Sequence, residues 1–197
     1  DNCGVASVTQ SPAYLASAPI GVSPVTLTAT DVNGNTANCT FNLNVVDQQA
    51  PVAICRNVTI QLNAGGSGSV TAAAVNNGST DNCGVPTVSV APSTFGCANV
   101  GANTVTLTAT DGSGNTNTCT ATVTVQDVTA PTAVCQNVTV ALNGSGNATV
   151  TATQVNNGSS DACGLQPLTV SPSSFTCANR GPNTVTLSVT DPCLNVG

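Results

Sequence analysis

The sequence has no lysine, glutamate, histidine, methionine or tryptophan, and its only cations are Arg56 and Arg180. Phosphate neutralisation needs clusters of lysine and arginine, so this composition argues against nucleic acid as a partner. It also removes the usual general bases and any Ser–His or Cys–His nucleophile pair. Charged residues make up 5% of the chain, against about 25% in an ordinary soluble domain. Aromatics are limited to Tyr14, Phe41, Phe95 and Phe175. Binding hot spots are rich in aromatics and arginine, so specific recognition has little to build on. No apolar run approaches the roughly 20 residues of a membrane helix, and no signal peptide is visible. The near-absence of lysine and arginine leaves almost no sites for trypsin-like proteases, which suits a long-lived outer-surface material.

What is present is threonine, valine, asparagine, serine, glycine and alanine, with ten cysteines and a net charge of −6 carried wholely by aspartate. Valine and threonine favour strands, whereas asparagine and glycine favour turns. The cysteines point to an oxidising, extracellular setting.

The chain repeats itself. Asp1-Asn2-Cys3-Gly4 returns as Asp81-Asn82-Cys83-Gly84 and as Asp161-Ala162-Cys163-Gly164. Val25 to Asp31 returns at Val105 to Asp111 and, varied, at Val185 to Asp191. Cys55-x-Asn57-Val58-Thr59 returns at Cys135 to Thr139. Each offset is 80 residues, without gaps. The expected organisation is the latter part of one repeat (1–47), one complete repeat (48–127) and a third lacking its last strand (128–197). The chain thus opens inside a repeat, and its own N-terminus is expected upstream. Proline in the short junctions Asp47 to Pro51 and Asp127 to Pro131 stiffens them.

Within a repeat the period is two. Val105, Leu107 and Ala109 share one face of a strand and threonines the other; Cys119 to Val125 alternates likewise, and Asp111 to Thr116 between them reads as a turn. This predicts a β-hairpin. Val58, Ile60 and Leu62 predict an earlier strand, Val70 and Ala72 the next after the glycine-rich turn 63–68, and Val88 and Val90 another. The fold class is all-β: tandem immunoglobulin-like β-sandwich repeats with an 80-residue period.

The entry Ala-Pro-x-x-x-Cys-x-Asn-x-Thr (50–59 and 130–139), the Asp-Asn-Cys-Gly motif and the closing run Val105 to Thr120 resemble the hyalin repeat, or HYR domain. The resemblance covers the whole chain. It implies an immunoglobulin-like fold, long arrays in secreted and surface proteins, and adhesion or scaffolding rather than a reaction. Two positions depart from the pattern: Ser17 stands where the other repeats have Cys97 and Cys177, and Asp191-Pro192-Cys193 loses the turn glycine and gains a cysteine.

Four cysteines in the complete repeat allow three pairings. The expected bonds are Cys55–Cys119, joining first and last strands, and Cys83–Cys97, closing a short loop, with Cys163–Cys177 repeating the latter. The rival is Cys55–Cys97 with Cys83–Cys119, which would give Cys3–Cys39. Cys39 and Cys135 are expected to pair outside the chain, and Cys193 has no assigned partner. Zinc is disfavoured, because there is no Cys-x-x-Cys knuckle and no histidine.

The aspartates fall at turns and junctions, where Asx turns account for them better than acid–base catalysis; no enzyme activity is expected. Structural calcium is the competing role for Asp1, Asp31, Asp47, Asp81, Asp111, Asp127 and Asp161, since calcium takes six to eight oxygens. Asn38, Asn57, Asn77, Asn137, Asn143, Asn147 and Asn157 each open an Asn-x-Ser/Thr triplet and are candidate glycosylation sites. The outward threonine rows 106/108/110 and 120/122/124 are simplest as strand chemistry. The reading is a structural or adhesive segment of a long extracellular or cell-surface protein, disulfide-stabilised and glycosylated, whose partners are neighbouring repeats or subunits. The alternative is a glycan- or protein-binding module.

Overall fold

β-branched side chains every second residue fit a pleated strand whose two faces differ, and the described residues are accordingly all-β, with several sheets. The computed structural model describes residues 2, 4–13 and 18–197. The expectations for Asp1, Cys3, Tyr14 and Ser17 lie outside the described residues.

Two compact units emerge. The first comprises Asp1–Pro51, Thr80–Thr87 and Thr110–Thr116. It holds β1 (Val5–Ser11), β2 (Gly21–Asp31) and β3 (Thr36–Val45) in an antiparallel sheet of order β1-β2-β3. The β2–β3 register runs from Gly21 opposite Val45 to Thr30 opposite Thr36. Val25 is fully buried, while β1 is exposed along its whole length.

The second unit comprises Val52–Ser79, Val88–Ala109 and Asn117–Gly197. Its main sheet has the order β4-β9-β8-β6, where β4 is Val58–Gln61, β6 Thr87–Ala91, β8 Gly101–Thr110 and β9 Thr116–Gln126. β4 runs parallel to β9, with Val58 opposite Val123 and Ile60 opposite Val125. A two-stranded sheet, β5 (Ser67–Ser69) with β7 (Thr94–Gly96), accompanies it. Val105, Leu107, Ala121, Val123 and Val125 from the large sheet pack with Phe95 of β7 and with Leu62, Val70 and Val75. These inward positions are the alternate residues of β8 and β9, so the period-two pattern is the core pattern.

The strand expected around Val70 and Ala72 divides differently. β5 ends at Ser69, and Ala72–Val75 is a single helical turn, α1. Thr71 Oγ1 accepts from the Ala74 N–H at 3.2 Å, and three consecutive alanines carry no strand preference to oppose that cap. Later in the unit the same kinds of element appear again: β10 (Asn147–Thr149), α2 (Ala152–Val155), β11 (Thr169–Ser171), β12 (Ser174–Thr176) and β13 (Thr186–Ser188). β10 pairs with β12 and β11 with β13, both antiparallel. A separate cluster of Val150, Val155, Phe175, Leu187 and Val189 forms their core.

Candidate functional site

The chemistry-bearing residues are aspartates and cysteines, and turns position both. Asp31 Oδ1 accepts from the N–H groups of Asn33 and Asn35, each at 2.8 Å, and its Oδ2 accepts from Asn35 Nδ2 at 2.8 Å. Asp111 is held the same way by Ser113 and Asn115, and Asp191 by Asn195. The asparagine then reaches further: Asn115 Nδ2 also donates to the Asp47 carbonyl at 3.1 Å, and Asn195 Nδ2 to the Asp127 carbonyl at 3.2 Å. The Asn35 side-chain hydrogen bond, followed by its backbone N–H, lowers the Asp31 pKa. At Asp111 burial pushes upward, but the bonds from Asn115, Ser113 and Gly114 outweigh it, and the pKa is again lowered. Both carboxylates are therefore held in place by their own turns.

The junction aspartates behave otherwise. In the first unit Asp47 and Asp81 come together with Cys83. Asp81 Oδ2 accepts from the Cys83 N–H at 2.8 Å, and Asn82 Nδ2 donates to Gln49 Oε1 at 3.2 Å. In the second unit Asp127 and Asp161 come together with Cys163, whose N–H donates to Asp161 Oδ1 at 2.7 Å. Asp81 Oδ1 and Asp127 Oδ2 are buried and accept no hydrogen bond. Such orphaned carboxylate oxygens are uncommon, because desolvating them uncompensated is costly. Desolvation by its neighbours first, then a hydrogen bond to Asp47, raises the Cys83 thiol pKa.

Cys55 is bonded to Cys119 with Cα atoms 5.9 Å apart. Cys97 is bonded to Cys163, Cα atoms 5.1 Å apart and 66 residues distant in sequence. This corrects the expected Cys83–Cys97 and Cys163–Cys177 bonds, and the rival Cys55–Cys97 with Cys83–Cys119 does not form either. The cause is the placement of the Asp-x-Cys-Gly loops. The loop carrying Cys83 folds back onto the Asp47 to Gln49 segment within the first unit; Cys97 is part of the second unit. There Cys97 meets the later loop, its Sγ 3.4 Å from the Ala162 carbonyl oxygen. Gly66 makes room: a Cβ on it would stand 2.7 Å from Cys97 Sγ and 3.2 Å from Ala162 Cβ, at a φ of +72°. Cys39, Cys83, Cys135 and Cys177 are exposed and unbonded among the described residues, and Cys193 is half-buried and unbonded.

The family comparison bears on the segment that forms the three-stranded sheet. Residues 1–45 match the HYR domain. The HYR match thus contains β1, β2, β3, the whole β2–β3 pairing and the Asp31 turn. No curated protein matches the chain. A solved structure described as the protocadherin gammaB7 EC3-6 cis-dimer is similar over 90% of this chain and 49% of its own, at 16% identity and a TM-score of 0.33. The chain spans about half the length of that structure. No helix among the described residues is long and apolar enough to cross a membrane.

All seven candidate glycosylation asparagines are exposed. Asn57 Oδ1 accepts from the Thr122 N–H, and Asn143 Oδ1 from those of Ser145 and Asn147. Of the aromatics, Phe95 and Phe175 lie in the two cores, and Phe41 is 45% exposed.

Proposed function

We propose that this chain is a structural, adhesive segment of a long extracellular surface or fibre-forming protein, built from tandem immunoglobulin-like HYR repeats of 80 residues at 1–47, 48–127 and 128–197. The observation that carries it is the Cys97–Cys163 bond, which on this division joins one repeat to the next. A covalent tie between successive domains serves length and mechanical continuity and serves no reaction. The second appearance of a one-turn helix and its flanking short strands supports the same division. The sparse exposed aromatics favour a spacer over a glycan- or protein-recognition module. N-linked sugar on the exposed asparagines would keep a surface with so few charges in solution. Electron microscopy of the native material is expected to show thin rods with an axial repeat of about 35–45 Å, one sandwich long; compact globular particles would overturn the proposal.

Calcium is the second reading, carried by one group. Asp127 is 7% exposed, and its Oδ2 is unpartnered beside Asp161. In the Asp47–Asp81 pair the unpartnered oxygen is Asp81 Oδ1 instead. Oxygen-only ligation suits calcium, and the sulfur of Cys163 is already committed to its disulfide.

A further inference from the structure

Buried negative charge gathers where β9 ends. Asp127 follows Gln126, the last residue of β9, and is 7% exposed. Its Oδ1 accepts from the Thr129 N–H at 3.1 Å, while its Oδ2 is buried with no hydrogen-bond partner. Asp161 stands beside it: one oxygen of each carboxylate and the Cys163 Sγ lie within 4.8 Å of one another. Asp161 Oδ1 accepts from the Cys163 N–H. The fully buried Asp191 is one asparagine away, because Asn195 Nδ2 donates both to Asp191 Oδ2 at 2.7 Å and to the Asp127 carbonyl at 3.2 Å. The chain has no lysine or histidine to balance this charge, and Arg56 Nε is engaged with the Ala74 carbonyl. Neighbouring carboxylates withdrawn from water repel each other and lose hydration, and a bound cation offsets both costs. The Asp47–Asp81 pair is only half-buried, so the inference is confined to Asp127 and Asp161.

We infer that Asp127 and Asp161 hold a calcium ion that ties the two cores of the second unit together, beside the Cys97–Cys163 cystine. The inference rests on the calcium reading above and adds what the ion does. Its ligands are Asp127 Oδ2 and the Asp161 oxygen that the Cys163 N–H leaves free. The Cys163 sulfur is in a cystine and has no thiolate to give, so the donors are oxygens, as calcium prefers. Two carboxylates balance the charge of a divalent ion, and water fills the remaining positions. A site with so few protein oxygens belongs with the weak extracellular ones, at about 10⁻⁴–10⁻³ M. The two ligands come from different cores. Asp127 continues β9, whose Ala121, Val123 and Val125 belong to the cluster around Val105. Asp161 lies between Val155 of the second cluster and Leu165, which packs against it. The ion is therefore released when either core melts. It does reversibly, at a strength set by calcium concentration, what the cystine does covalently.

The test uses the full chain with Cys97→Ser and Cys163→Ser, which keeps the main-chain N–H at position 163 and leaves the ion as the tie. Scanning calorimetry compares a chelator with about 10 mM calcium chloride, above the affinity expected of such a site. In chelator the two cores melt separately. Calcium raises the lower transition alone, by about 3 °C or more, because the ion is lost with whichever core melts first. Magnesium at the same concentration does not, since it gives up its water reluctantly. Asp127→Asn, or Asp161→Asn, added to this chain removes the rise. Titration of the parent chain with calcium chloride shows an affinity that falls about tenfold or more in Asp127→Asn. A single transition in chelator, an equal rise of both transitions, an equal response to magnesium, or a rise that survives both substitutions overturns the inference. Calcium binding that Asp127→Asn abolishes, with the lower transition unmoved, would remove the tie and leave the calcium reading standing. No binding by the parent chain would remove both.

Discussion

Removing the two disulfides one at a time separates two jobs that full reduction would merge. The paired variants are Cys55→Ser with Cys119→Ser, and Cys97→Ser with Cys163→Ser; changing both partners adds no new thiol to those already free. The bridged residues are 64 and 66 apart, so the entropy of loop closure assigns each about 4 kcal/mol. At about 2–4 °C per kcal/mol for a domain of this size, either loss lowers the melting temperature by about 8–16 °C. The calorimetric shapes differ. Cys55–Cys119 lies wholly within the cluster around Val105 and Val123, so its loss shifts that transition without splitting it. Cys97–Cys163 brings Cys163 against the same cluster, while Val150, Phe175 and Val189 form a second one with no residue in common. Its loss therefore separates melting into two transitions. If the chain melts at the parent temperature after full reduction, the assignment of about 4 kcal/mol to each cystine is wrong. If the second variant keeps one sharp transition, Cys97–Cys163 does not couple the two clusters.

Four further outcomes follow from the same geometry. Leu107→Ala, at a fully buried position, should cost about 2–5 kcal/mol, read from urea unfolding. Ser17→Cys should give a new thiol that bonds to Cys83, detected by peptide mapping; a variant with Cys83 still free would break the analogy with Cys97–Cys163. Asp31 and Asp111 have lowered pKa values, so the stability they contribute is present above the unfolded carboxylate pKa of about 4 and is lost as pH falls through the folded value. The urea midpoint should fall between pH 7 and pH 3, and less so in an Asp31→Asn, Asp111→Asn chain. Millimolar calcium should raise the melting temperature by less than reduction lowers it, and Asp127→Asn should abolish the rise; a rise unchanged in that variant would place the ion elsewhere.

The strands were legible because their signal is local. Val105, Leu107 and Ala109 alternate with threonines, and those three are the buried residues of β8. The turns were legible for the same reason, since an aspartate followed four residues later by asparagine closes on itself. α1 was missed because one turn of helix is too short to show a 3.6 period; Thr71 before three alanines was its only signal. The grouping of Asp127 with Asp161, and of Asp47 with Asp81, is a tertiary fact that no spacing announces.

The disulfide error has a more particular cause. Residues 83 and 163 stand 80 apart and occupy the same place in the motif, so a sequence of period 80 assigns Cys97 a partner motif without saying which copy. The shorter loop looks cheaper in closure entropy, yet that cost grows only with the logarithm of loop length. The direction in which the Asp-x-Cys-Gly loop folds decides instead. Asp81 and Asn82 face the segment before them, at Asp47 and Gln49, and Asp161 faces Asp127. A loop that folds back onto the preceding junction carries its cysteine toward the preceding repeat. Asn115 and Asn195 each reach back 68 residues to the same junction carbonyls, at Asp47 and Asp127. The Cys97–Cys163 cystine, the Asn195 bridge to Asp127 and the Asp127–Asp161 pair therefore all involve this loop or the segment at Asp127. At the Asp47 junction the cystine is missing because residue 17 is serine, while the asparagine bridge and the aspartate pair remain.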